Sequence, residues 1–173
     1  MMRLSLVRHA EAAATAAGSS DRHRVLTETG RLDAAALGKF LAREEQVPDQ
    51  ILCSDAVRTV DTAHRILNGA GESRPVVVLD ALYHADPDAV LALIRENGAE
   101  TTRHLMVVGH NPTIGALAAW LAQQSGQTRD IGQHQFAPAT CAQFAVQALE
   151  WESFDPSHAT FRRQIVASDY REA

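Results

Sequence analysis

Lysine is almost absent: of the sixteen basic residues only Lys39 is lysine and the rest are arginine. Nearly every cation is therefore a planar fork suited to carboxylate or phosphate. Cysteine is scarce as well. Cys53 and Cys141 are too few for a disulfide framework and suit a reducing compartment. No stretch approaches the ~18 apolar residues of a membrane span. The N-terminal apolar run ends at Arg8-His9, before a secretory h-region can form, so the expected location is cytoplasmic. The net charge of −5 disfavours nonspecific nucleic-acid binding. No internal repeat or low-complexity linker divides the 173 residues, which read as a single domain, 1–173.

What is present is an alternation of strands and helices. Leu4–Arg8 reads as a short buried strand. Polar and small residues from Glu11 to Arg24 read as a long loop. Thr27 can cap a helix whose apolar positions are Leu32, Ala36 and Phe40, with Leu37 and Leu41 beside them. Ile51–Cys53 is a second strand, and Ser54 or Asp55 can cap the helix after it. Pro75–Leu79, with three valines in a row, reads as a buried strand. Asp86-Pro87 and Asn111-Pro112 are cap-and-proline signals that flank a further strand, Leu105–Gly109. Cys141–Leu149 and Thr160–Val166 alternate like antiparallel edge strands. Strands alternating with helices imply an α/β fold with a parallel sheet covered on both faces.

In an open α/β sheet, ligands bind at the carboxyl ends of the parallel strands. The residues just past those ends are Arg8-His9, Ser54 to Arg58, Leu82 to Asp86, and His110-Asn111. Two arginines and two histidines thus converge on one edge, together with two helix N-termini. Such a site suits an anion with several oxygens, phosphoryl above all. His9 is a candidate nucleophile, because a neutral imidazole nitrogen can attack phosphorus in line. Arg8, Arg58 and His110 can neutralise the equatorial oxygens without a metal.

These residues carry a family likeness. Leu6-Val7-Arg8-His9-Ala10-Glu11 resembles the signature of the histidine phosphatase superfamily, which includes the phosphoglycerate mutases. Leu26-Thr27-Glu28-Thr29-Gly30 resembles the start of that family's first helix. The run from Leu52 to Ala63 resembles its second-arginine segment, and Val107 to Pro112 its second-histidine segment. The resemblance covers residues 3 to about 122. Length and the stretch Leu82-Tyr83-His84-Ala85-Asp86-Pro87 are most like the phosphohistidine phosphatases of SixA type. The resemblance implies a three-layer α/β/α sandwich with a mostly parallel sheet and an antiparallel edge. It also implies His9 as the phosphorylated nucleophile, a phosphate pocket of Arg8, Arg58 and His110, and no cofactor. The partner it implies is a phosphorylated protein carrying phosphohistidine; a small phosphorylated substrate, or a noncatalytic phospho-binding role, is the alternative.

The chain departs from that pattern where many family members carry a glutamate as general acid. Here the aligned position is Ala81, with Asp80 and Asp86 as nearby substitutes. A missing acid matters least for N–P bonds and activated esters, whose leaving groups need little help. Only Asn68 to Arg74 separates the Arg58 helix from the third strand, leaving no room for a large lid there, although Ser125 to Thr140 can fold over the site. Arg24 is a candidate phosphate or partner ligand from the first loop, and Glu11 a candidate to orient His9 or Arg8. His23, His64, His104, His134 and His158 lack metal-site spacing, so no metal is expected. Cysteine-phosphatase chemistry needs Cys-x5-Arg, and Cys53 and Arg58 are one residue too close, which makes Cys53 a buried strand residue.

Overall fold

Apolar side chains alternate between two faces of a central sheet, and that alternation builds two separate cores. A computed structural model describes residues 1–126, 131 and 136–171. On strand β1 (Met2–Arg8), Met2, Leu4 and Leu6 point to one face. There they meet Leu52, Leu105 and Val107 and the apolar stripes of helices α3 (Pro87–Asn97) and α4 (Thr113–Gln124). Val7 points the other way, with Ile51, Cys53, Met106 and Val108. These pack on α1 (Glu28–Arg43), α2 (Val57–Ala70) and the short α5 (Ala167–Arg171). The result is the expected three-layer α/β/α sandwich. Among the described residues no helix is long and apolar enough to cross a membrane.

The six strands lie in the order β3-β2-β4-β1-β5-β6. β2 (Gln50–Ser54), β3 (Val76–Leu79), β4 (His104–Gly109) and β1 run parallel, while β5 (Cys141–Val146) and β6 (Ala159–Ile165) continue antiparallel. β1, β2 and β4 lie inside the sheet with both faces covered, and β2 and β4 carry unbroken apolar runs at Ile51–Cys53 and Leu105–Val108.

Several local expectations are corrected. The valine-rich β3 is an edge strand, with Val78 47% exposed. Its run of β-branched residues reflects strand preference rather than burial. β5 lies inside the sheet between β1 and β6, and it stops at Val146, which leaves Leu149 at the surface. The buried face of α1 is Gly30, Asp33, Ala34, Leu37, Gly38 and Leu41, whereas Leu32 is 65% exposed. Small residues set that face: a Cβ on Gly38 would land on the Ile66 carbonyl, and one on Gly69 on the Ala35 carbonyl. α1 and α2 therefore pack backbone to backbone. Neither Ser54 nor Asp55 is the N-cap of α2; that place is Ala56. Thr27 and Asp86 do cap α1 and α3, accepting from Gly30 N and Ala89 N. Pro112 directly precedes α4, and the Asn111 side chain accepts from Gly115 N at 3.2 Å.

Candidate active site

Arg8 and His9 leave β1 at its carboxyl end, beside the ends of β2 and β4. The backbone there is held from both sides. His9 N–H donates to the Gly109 carbonyl at 2.9 Å, and Ala139 N–H donates to the carbonyls of Arg8 and His9 at 3.1 and 3.2 Å. Ala10 N–H donates to Thr62 Oγ1 at 3.0 Å, while the Thr62 hydroxyl donates to the Arg58 carbonyl at 2.6 Å. The turn carrying His9 is thereby joined to the first turns of α2. His9 Nδ1–H donates to the Ala10 carbonyl at 2.7 Å, a bond that assigns the tautomer and leaves the lone pair on Nε2.

Arg58 is buried in the first turn of α2. Its Nη2 donates to His110 Nδ1 at 3.2 Å. Because a guanidinium only donates, His110 Nδ1 accepts, and its Nε2–H donates to Ser54 Oγ at 2.9 Å. The two imidazoles meet edge to face, with centroids 5.4 Å apart. Arg8 Nη1 donates to the Phe136 carbonyl at 3.1 Å. The Nε groups of Arg8 and Arg58 are buried without a hydrogen-bond partner among the described residues.

This packing keeps both histidines neutral. Burial, reinforced by the charges of His110, Arg58 and Arg8, takes His9 from the ordinary 6.5 down to about 3 against the opposing Ala10 hydrogen bond. Burial and the charge of Arg58 take His110 down to about 4. His104, far from this edge and bonded to Ser5 Oγ at 2.8 Å, is likewise pushed by burial down to about 4. Each folded-state value lies below the unfolded one, so between about pH 4 and 6.5 the unfolded chain binds more protons. Stability is then fully present above 6.5 and falls as pH drops, by up to about 1.4 kcal/mol per pH unit per histidine. Urea denaturation between pH 7.5 and 4.5 is expected to show that decline; a flat profile counts against neutral burial.

Arg8, His9, Arg58 and His110 thus come together as the sequence suggests. Arg24 is nearby, with Nε donating to the Ala13 carbonyl at 2.7 Å and Nη1 pairing with Asp21 at 3.2 Å. Glu11 does not orient His9 or Arg8 in this arrangement. Its carboxylate accepts from the Thr27 hydroxyl at 2.6 Å and so anchors the start of α1. Asp86 is occupied as the cap of α3, Asp80 is exposed, and Cys53 is buried with its thiol pushed up to about 12 by burial. Residues 127–130 and 132–135 of the 125–140 segment, with His134, lie outside the described residues. At its described end the Phe136 carbonyl reaches Arg8 and Asn111.

Sequence reasoning passed over two contributors. Asp21 accepts from Arg58, Arg24 and the Tyr83 hydroxyl. Tyr83 packs its ring against His110 at 5.3 Å and beneath the Arg22 guanidinium at 4.3 Å. The only available signal was the dense charge of Asp21-Arg22-His23-Arg24 within an otherwise small, neutral loop.

Residues 4–86 match the profile of the "Histidine phosphatase superfamily (branch 1)". The chain belongs to the histidine phosphatase superfamily. An uncharacterized Mycobacterium tuberculosis protein is 33% identical over 156 residues, 88% of this chain and 94% of the relative. A Nakamurella multipartitia structure carrying the name phosphohistidine phosphatase SixA superposes with a TM-score of 0.80 at 29% identity, covering 95% of both chains. An Agrobacterium tumefaciens structure of the same name gives 0.79 at 25% identity, covering 95% of this chain and 97% of that one. SixA complexed with tungstate shares the fold, with a TM-score of 0.76 at 23% identity over 97% and 99% of the two chains. The family and these neighbours support phosphatase activity for this chain.

Proposed function

We propose that this family member is a metal-independent phosphohistidine phosphatase that works through a covalent intermediate on His9. The Nε2 lone pair attacks phosphorus, a new N–P bond forms, and the bond to the leaving group breaks with its electron pair. The imidazole of His9 becomes cationic in this step, and the Ala10 carbonyl on Nδ1–H stabilises it. Water then attacks phosphorus, the electron pair returns to Nε2, and phosphate departs with the water's proton going to solvent. Arg8, Arg58 and Arg24 supply the positive charge that a metal would otherwise provide.

The choice of phosphohistidine rests on one observation. Asp21, the carboxylate hydrogen-bonded to Arg58, is held far below the usual carboxylate range by the Tyr83 hydroxyl and Arg58. An acid that stays ionised at neutral pH cannot protonate a leaving alkoxide. The Tyr83 proton, in turn, is committed to Asp21, which raises its pKa. A leaving imidazole needs no such donor, since it is readily protonated by solvent. The test is a kcat/KM comparison of a phosphohistidine peptide with sugar phosphates, in excess EDTA. A preference of at least about 10²-fold for the peptide is expected. Equal turnover would favour a small-molecule phosphomonoesterase, and no turnover of anything a phospho-binding module.

A further inference from the structure

Asp21 lies in a one-turn 3-10 helix of the first loop, Asp21–His23, 37 residues from Arg58 and 62 from Tyr83 in sequence. Besides the local bond from Arg24 N–H to its carbonyl at 3.2 Å, it makes four contacts with side chains. Its backbone carbonyl accepts from Arg58 Nη1 at 2.7 Å, and Oδ2 accepts from Arg58 Nη2 at 2.9 Å and from the Tyr83 hydroxyl. Oδ1 accepts from Arg24 Nη1 at 3.2 Å. Since Nη2 also reaches His110, the guanidinium of Arg58 has no rotational freedom left. Charge is matched as well. Arg8, Arg24 and Arg58 bring three positive charges and Asp21 subtracts one, which leaves two for a phosphoryl group of charge about −1.5 to −2.

We propose that Asp21 is a positioning residue and counter-charge: it aims Arg58 at the reacting phosphoryl group and keeps the arginines from retaining product phosphate too tightly. Tyr83 is its latch, fastening the first loop to the segment after β3. This rests on the site being the phosphoryl pocket described above. A carboxylate that merely anchored the loop would behave differently on replacement. Its loss would loosen the whole pocket, weakening phosphate binding and turnover together.

Both roles lower kcat, but they predict opposite movements of the inhibition constant for phosphate. In Asp21→Asn, the aim of Arg58 degrades while net positive charge rises. With p-nitrophenyl phosphate as substrate, kcat is expected to fall about tenfold or more. The inhibition constant of inorganic phosphate is expected to stay level or tighten by about three- to tenfold. Tyr83→Phe removes one of the contacts and should move both constants the same way by less. A kcat reduced by less than roughly fivefold in Asp21→Asn overturns the proposal. So does a phosphate inhibition constant that rises. Should Asp21→Asn lose its circular dichroism signature, Tyr83→Phe decides: an unchanged kcat overturns the proposal, and a reduced kcat without weaker phosphate binding supports it. If wild-type turnover neither depends on His9 nor is inhibited by phosphate, the reading of the pocket fails and takes this proposal with it.

Discussion

His9→Ala is expected to reduce turnover of any phosphorylated substrate by on the order of 10⁴-fold or more, because it removes the proposed acceptor of the phosphoryl group. The fold should survive. His9 contributes only one local side-chain hydrogen bond, to the adjacent Ala10 carbonyl, and the turn is held by backbone bonds to Gly109 and Ala139. A second readout makes the expectation specific. Rapid quenching of the wild-type enzyme with labelled substrate should trap a phosphoenzyme that is labile in acid and stable in alkali, as a phosphoramidate is, and His9→Ala should trap none. Substantial activity in the mutant, or a label elsewhere in the wild type, removes His9 from the chemistry.

The second large effect is expected from Arg58→Lys, which preserves charge and loses geometry. Arg58 spreads three hydrogen bonds over two Nη atoms, to the Asp21 carbonyl, the Asp21 carboxylate and His110 Nδ1. A single ammonium on a shorter reach cannot occupy those directions at once, and burial additionally favours its neutral form. His110 would then lose the donor that fixes its tautomer. A drop in kcat/KM of roughly 10²–10³-fold is expected, comparable to removing a preorganised donor at a developing oxyanion. A drop of less than tenfold, with the circular dichroism spectrum unchanged, would mean that charge alone suffices at this position. That outcome would also weaken the case for Asp21, which acts through the fork.

The clustering of Arg8, His9, Arg58 and His110 is legible in the sequence because each sits next to a strong local signal. Arg8-His9 ends an apolar run, Arg58 begins a helix after a strand, and His110 separates a strand from a proline-marked helix. Placing all four at one edge needed only the rule for the carboxyl ends of parallel strands. The misreadings share one cause. Pro75–Leu79 looks buried because valine suits any strand, and whether a strand is central depends on its neighbours, which its own residues do not name. The face of α1 was misread because backbone approach at Gly30 and Gly38 outweighed the apolar Leu32. Glu11 is a candidate to orient His9 or Arg8 by proximity in sequence, yet its carboxylate binds Thr27, sixteen residues on.

The sequence by itself determined the layered α/β fold, the arginine-rich chemistry and the pairing of two histidines with two arginines, since these follow from periodicity, composition and strand-end position. Only the tertiary structure decided that Asp21 and Tyr83 belong with them. Their contacts join a loop, a helix and a distant turn through hydrogen bonds whose partners no local pattern specifies. It also decided which imidazole nitrogen is free on His9, because burial and a single carbonyl oxygen set the tautomer.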